Sequence, residues 1–189
     1  MRSMTHPSAN PKPRVFFALW PTAAERRQLS TWQKPLHKLC GGRAMRGETL
    51  HNTLVFIGNV ELSRLEALQL AAQEVGGQRF KLCFDTAQYW AHNRIVYAAP
   101  ADPPQQLVQL VDKLQQRLAM HGFEFDQRTY QPHVTLLRNT QWSDEAMPRQ
   151  MPQMQAVCWQ AVDFALVQAV SRDGLASYEV LARFPLRVG

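Results

Sequence analysis

The feature that most constrains this chain is a short pattern that occurs twice, His51-Asn52-Thr53-Leu54 and His133-Val134-Thr135-Leu136, 82 positions apart. Each copy sits in an apolar, β-branched run that predicts a strand, and side chains at i and i+2 of a strand share a face. His51 is thereby placed beside Thr53, and His133 beside Thr135. The likeness extends upstream: Arg14-Val15-Phe16-Phe17-Ala18-Leu19 begins 37 positions before the first histidine, and Arg94-Ile95-Val96-Tyr97-Ala98-Ala99 begins 39 before the second. Units of about 14–58 and 94–138 therefore repeat. Two copies at a spacing far above the roughly 20–50 residues of stacked repeats indicate a duplication, not a solenoid. The expected fold is α+β, with two similar lobes facing each other across a cleft that receives one His-Thr pair from each.

Helices fit between the strands of each unit. Thr22-Ala23-Ala24-Glu25, after Pro21, has the capping-box pattern and predicts a helix running to about Leu39. In the second unit Asp102 can cap with Pro103 at the first helical position, and Leu107, Leu110, Val111, Leu114 and Leu118 form one apolar stripe. Ser63-Arg64-Leu65-Glu66 opens a further helix that Gly76-Gly77 ends, and Phe80 to Phe84 follows as a strand. Near the end, Val157 to Val170 and Ser177 to Phe184 flank Arg172-Asp173-Gly174, a hairpin signal.

At 189 residues and 46% apolar the chain can bury a core, and no Gly/Ser/Pro-rich linker divides the halves. Residues 14–189 are expected to form one bilobal domain. Residues 1–13 are polar and proline-rich, lack the apolar core of a signal peptide, and are expected to be a disordered tail. No run approaches the ~18 consecutive apolar residues of a membrane span. Cys40, Cys83 and Cys158 are odd in number and scattered, which predicts free, mostly buried thiols in a reducing cytoplasm. A net charge of +6 and a pI near 9.6 favour an anionic partner, nucleic acid ahead of membrane surface. Arg43 and Arg46 precede the first motif, and Arg128 and Arg138 bracket the second.

Two histidines and two threonines, with no carboxylate or cysteine nucleophile at motif spacing, suit phosphoryl transfer by paired acid-base catalysis. One neutral imidazole takes a proton from the attacking oxygen while a protonated one gives a proton to the leaving oxygen. The threonine hydroxyls can donate to non-bridging phosphate oxygens, and an arginine can offset charge there. A zinc site is the competing reading, but neither His-x-Thr supplies a second ligand from its own strand. His6, His37, His92 and His121 lack such a context and are read as surface or structural.

The pattern of Phe16-Phe17-Ala18-Leu19, then His51-x-Thr53-Leu54-x-Phe56-x-Gly58, then Tyr130-x-Pro132-His133-Val134-Thr135-Leu136-x-Arg138 resembles the 2H phosphoesterase superfamily. Within it the chain resembles the bacterial RNA 2',3'-cyclic phosphodiesterases, also called 2'-5' RNA ligases, from about Arg14 to Leu186. The resemblance implies a bilobal fold with pseudo-twofold symmetry, mainly antiparallel sheets with flanking helices, and a metal-independent site between the lobes that needs no cofactor. It implies hydrolysis of a terminal 2',3'-cyclic phosphate to a 2'-phosphomonoester, and in some members reversible, ATP-independent joining of RNA ends. Carried over, His51 is the general acid for the departing 3' oxygen and His133 the base that activates water. Thr53 and Thr135 hold the phosphate oxygens, and Arg138 stabilises transition-state charge. In an unbroken strand, however, Arg138 at i+5 from His133 points away from the histidine face, so it arrives only if the strand bends or ends first.

Aromatic residues near the site can stack on a nucleobase, a contact worth ~1–3 kcal/mol per base. Phe16, Phe17, Trp20, Trp90 and Tyr130 are candidates, and Phe17, Tyr130 and Arg46 are counted among the substrate contacts. For Phe16 and Phe17 the competing reading is core filling, and for Arg46 a solvated rim. Two function classes follow: an enzyme acting on RNA or small-nucleotide cyclic phosphates, and a non-catalytic single-stranded RNA-binding protein. Only the enzyme explains why both motifs keep histidine and threonine together. A monomer is expected, because the repeat already supplies both halves of the site.

Overall fold

The computed structural model describes residues 12–141, 151–172 and 175–188. The duplication appears as two four-stranded antiparallel sheets. In the first unit β1 (Arg14–Leu19) leads through α1 (Ala23–Ser30), α2 (Gln33–Cys40) and the two-residue β2 (Arg43–Ala44) to β3 (Asn52–Asn59). Next come α3 (Leu65–Gln73), β4 (Phe80–Phe84) and β5 (Thr86–Trp90). The second unit runs β6 (Ile95–Ala99), α4 (Gln105–Met120) and β7 (Val134–Arg138), and the chain closes with β8 (Val157–Ala161), β9 (Asp163–Arg172) and β10 (Leu175–Pro185). One sheet has the order β10-β9-β1-β3, the other β2-β7-β6-β5, and β4 pairs with β8. The strand that opens each unit thus pairs antiparallel with the strand that carries its motif, β1 with β3 and β6 with β7. The short β2 of the first unit adds to β7 of the second, Arg43 opposite Arg138.

A bulge falls at the same place in both motif strands. The β1–β3 register steps from Phe17↔Val55 to Ala18↔Thr53, leaving Leu54 unpaired, and the β6–β7 register steps from Val96↔Leu137 to Tyr97↔Thr135, leaving Leu136 unpaired. An extra residue breaks strict alternation. Leu54 and Val55 are consequently both buried, as are Leu136 and Leu137, and the residue five positions after each histidine turns back to the histidine face.

Helix boundaries differ from the sequence expectation for local reasons. The Thr22–Glu25 capping box forms as read, but the helix breaks at Thr31-Trp32. Pro35 has no N–H to give Thr31, so it is accommodated in the first turn of a second helix. α4 starts at Gln105 with Pro104 as its N-cap, not at Pro103 behind Asp102, because a residue preceding proline is pushed out of the helical region. A 3-10 turn at Leu62–Arg64 precedes α3, which starts at Leu65 without a side-chain cap from Ser63. The run from 157 to 170 is two strands divided at Val162, where the chain passes from β4's partner to β1's. β9 and β10 form the expected hairpin, and Asp173-Gly174 lie outside the described residues.

Two expectations need correction. Cys83 and Cys158 are not free thiols: they oppose each other across β4 and β8 and form a disulfide, with Cα atoms 4.0 Å apart. Their separation of 75 residues concealed the pairing. Cys40 is free and buried, and burial pushes its thiol up to about 11. The last two residues of the expected tail, Lys12 and Pro13, are in fact held against the domain. Pro13 is buried and its carbonyl accepts from the Val60 N–H at 2.9 Å, while Lys12 pairs with Glu61 at 2.6 Å. The remainder of that segment, residues 1–11, lies outside the described residues.

Candidate active site

Each motif histidine occupies the position just before its strand, and each is fixed the same way. His51 Nδ1 lies 2.7 Å from the carbonyl oxygen of Thr49, and His133 Nδ1 lies 2.8 Å from that of Gln131. A carbonyl only accepts, so Nδ1 carries the hydrogen and Nε2 is left for proton exchange in both rings. The repeated i−2 bond sets tautomer and ring orientation together.

Aromatic rings pack around both imidazoles. Phe16 and Trp20 stack on His51 at centroid distances of 4.9 and 5.3 Å, and Tyr178 of β10 meets it edge-on at 5.1 Å. Trp90 and Tyr97 meet His133 edge-on at 4.6 and 5.6 Å. Removing water from an imidazole disfavours its charged form. Burial accordingly lowers His51 to about 4, against the opposing bond to Thr49, with smaller depressions from the charges of His133 and Arg138. His133 is lowered as well, first by burial and then by Arg138, against its bond to Gln131. Both rings are therefore neutral in the empty cleft at pH 7.

The cleft has two arms, of about 650 and 590 Å³. Thr53, Thr135, His133 and Arg138 line both arms, so the arms join at the motif residues, and His51 lines the second. Arg138 reaches the cleft because of the bulge at Leu136; the counterpart bulge brings Phe56 to the equivalent place, and Phe56 also lines both arms. The larger arm is edged by Trp90, His92, Thr129 and Gln131, the smaller by Arg14, Phe16, Ala176 and Tyr178. Arg128, paired with Asp126, borders both.

Three of the sequence-derived contacts sit differently. Phe17 does not reach the cleft: it is fully buried against Phe164 and Phe184, and its neighbour Phe16 takes the place at the histidine. The register of β1 decides which of two adjacent phenylalanines faces in. Tyr130 borders the larger arm, but its hydroxyl turns inward to the Asn52 carboxamide at 3.1 Å. Met45 lines the smaller arm, whereas Arg46 is engaged with the Ala176 carbonyl and with Glu48 at 3.3 Å. Sequence reasoning missed Asn52, Phe56 and Tyr178 as neighbours of the site. Only Phe56 carried a signal, being the repeat counterpart of Arg138. Among the described residues, no group of three His, Cys, Asp or Glu side chains is disposed to hold a metal ion. Also among them, no helix is long and apolar enough to cross a membrane.

Comparison with known proteins identifies the family. Residues 18–172 match the family model of the 2'-5' RNA ligase superfamily. The chain is 31% identical over 173 residues to the RNA 2',3'-cyclic phosphodiesterase of Escherichia coli K12, covering 92% of this chain and 96% of that one. It is 25% identical over 170 residues to the protein of the same name from Bacillus subtilis 168, covering 87% and 86%. Its structure superposes on E. coli LigT in apo form with a TM-score of 0.82 at 29% identity, covering 94% of this chain and 99% of that one. The chain belongs to the 2'-5' RNA ligase superfamily.

Proposed function

We propose that this protein hydrolyses the terminal 2',3'-cyclic phosphate of RNA to a 2'-phosphomonoester, using His51 and His133 as an acid-base pair. The observation that carries this reading is the duplicated histidine geometry: two imidazoles, each pinned through Nδ1, bordering one cleft beside two threonines and an arginine. Water attacks phosphorus and the P–O3' bond breaks. His133 takes the proton of the attacking water through Nε2, and His51 gives one to the departing 3' oxygen. Thr53 and Thr135 donate to the non-bridging oxygens, and Arg138 offsets the charge that builds on them. With the 5'-hydroxyl of a second RNA end in place of water, the same pair joins ends without ATP: the P–O5' bond forms as the P–O3' bond breaks, His133 takes the 5'-hydroxyl proton and His51 protonates the 3' oxygen, and the reverse step restores the cyclic phosphate. Trp90, in the larger arm, offers a face for a base. One chain supplies both histidines, which supports a monomer.

One observation favours exchanged roles. His51 is the more strongly depressed imidazole and the poorer proton carrier in the empty cleft. It serves as the acid once a bound phosphate anion neutralises Arg138 and pairs with the imidazolium. A cyclic phosphate with sulfur at the 3' bridging position distinguishes the two, because a thiolate leaves without a proton. Rescue of His51→Ala alone supports His51 as acid; rescue of His133→Ala alone reverses the roles.

The primary test is a short RNA ending in a 2',3'-cyclic phosphate, incubated in excess EDTA without ATP, with 2'- and 3'-phosphate products resolved. A 2'-phosphate that disappears in His51→Ala and His133→Ala supports the reading. Retained RNA binding with no turnover moves the weight to a binding protein, and turnover of mononucleotide cyclic phosphates alone moves it to a small-nucleotide enzyme.

A further inference from the structure

Strand alternation sends Asn52 to the face opposite His51 and Thr53, into the interior, where it is fully buried. A buried carboxamide without partners is costly, and this one has two. Its amide lies within 3.1–3.3 Å of the Tyr130 hydroxyl, and 3.3 Å from the main chain of His133, in either orientation of the amide group. Tyr130 is itself three residues ahead of His133, on the segment that delivers the second histidine to its strand. β3 and β7 belong to different sheets, so no backbone ladder joins the two motifs. The Asn52 side chain spans that gap, contacting the second motif from a position between the histidine and threonine of the first.

We infer that Asn52 and Tyr130 are a positioning pair that sets where His133 stands relative to His51. This rests on the acid-base reading above. Asn52 is fixed by β3 and so moves with His51. Through its amide it holds both the main chain of His133 and the tyrosine that anchors the approach to it. In-line transfer needs an attacking oxygen and a leaving oxygen on opposite sides of phosphorus, so the spacing of base and acid is what the pair governs. Misplacement by about 1 Å can cost about 100-fold in rate. Neither side chain touches the reacting atoms in this account.

The test uses Asn52→Leu, which keeps the bulk, and Tyr130→Phe, which removes only the hydroxyl. Each is expected to lower kcat on the cyclic-phosphate RNA about tenfold or more, with KM changed less than about twofold. The double variant should lose less than the product of the two, because it removes both polar ends together. A readout independent of turnover is the imidazole NMR spectrum, in which the ring signals and titration midpoint of His133 should move while those of His51 hold. Tyr130→Phe keeps the test open if Asn52→Leu does not fold. A raised KM at unchanged kcat in Tyr130→Phe would make Tyr130 a substrate contact and overturn the proposal. Unchanged kcat with an unmoved His133 spectrum overturns it too. If the wild type itself is inert on the RNA, the functional reading fails, and the His133 spectrum alone still decides the positioning role.

Discussion

Acid should destabilise this protein through His51 before its carboxylates are lost. The imidazole is neutral in its aromatic surroundings with a folded value of about 4, whereas in the unfolded chain it returns to about 6.5. A depressed folded value means that the unfolded chain binds the proton more tightly. Stability is therefore full above about pH 6.5 and is lost as pH falls toward 4. The limiting loss, about 2.5 pH units at about 1.4 kcal/mol each, is about 3.5 kcal/mol. That is a large part of the roughly 5–15 kcal/mol that holds a domain together. Between about pH 7.5 and pH 5 the expected loss from this one group is about 2 kcal/mol. The perturbation is His51→Asn, which cannot titrate, and the assay is urea unfolding of both proteins across that range. Every carboxylate and every other histidine is common to the two, so the difference between their stabilities isolates the His51 proton. It should change by about 2 kcal/mol with wild type losing more on acidification. Inorganic phosphate should shrink the change by pairing with the imidazolium. A difference independent of pH would refute the claim that the aromatic surroundings keep this ring uncharged.

The other predictions concern different parts of the molecule. Arg138→Met should lower kcat by about 100-fold, the scale of losing one charge-stabilising donor, while thermal unfolding holds because the side chain is exposed; a circular-dichroism melt beside steady-state kinetics checks both. Cys83→Ser opens the crosslink over 75 residues and should cost about 2–4 kcal/mol of stability, read as a lowered urea midpoint. Dithiothreitol should reproduce that loss in the wild type and leave the variant unchanged. Phe17→Ala should cost about 3–5 kcal/mol as a core cavity and leave the KM of whatever protein remains folded unaltered, since Phe17 faces Phe164 and Phe184.

The histidines and threonines were legible because their placement depends on a period of two within one strand, and because the pattern occurs twice. Arg138 was expected from the family resemblance and not from the strand period, because its arrival depends on an unpaired Leu136, and a bulge is a property of two strands together. The same holds for Phe16 and Phe17. Adjacent aromatics in a strand face opposite ways, and only pairing with β3 and β9 settles which is inside. The disulfide joins strands 75 residues apart, and Tyr178 comes to His51 from the far end of the chain. Neither leaves a local trace. Helix extents failed where proline acted: Pro35 split one helix in two, and Pro103-Pro104 delayed the start of another.

The duplicated halves are alike in how they hold a histidine and unlike in what they place beside it. Five residues beyond His133 the bulge delivers a guanidinium; five residues beyond His51 it delivers the Phe56 ring. One strand thus brings charge into the cleft and the other brings apolar surface. Among the described residues His51 is also the more enclosed by aromatics, with Phe16, Trp20 and Tyr178 around it and Trp90 and Tyr97 beside His133. The two imidazoles therefore stand in different surroundings, a difference that the acid-base roles proposed above can use. Burial and Arg138 press both imidazoles toward neutrality while the cleft is empty. A phosphate anion reverses that pressure, since it neutralises the guanidinium and supplies an imidazolium with a partner. On the acid-base reading proposed above, the substrate therefore brings the conditions under which one of the two rings can carry the proton that its own leaving oxygen needs.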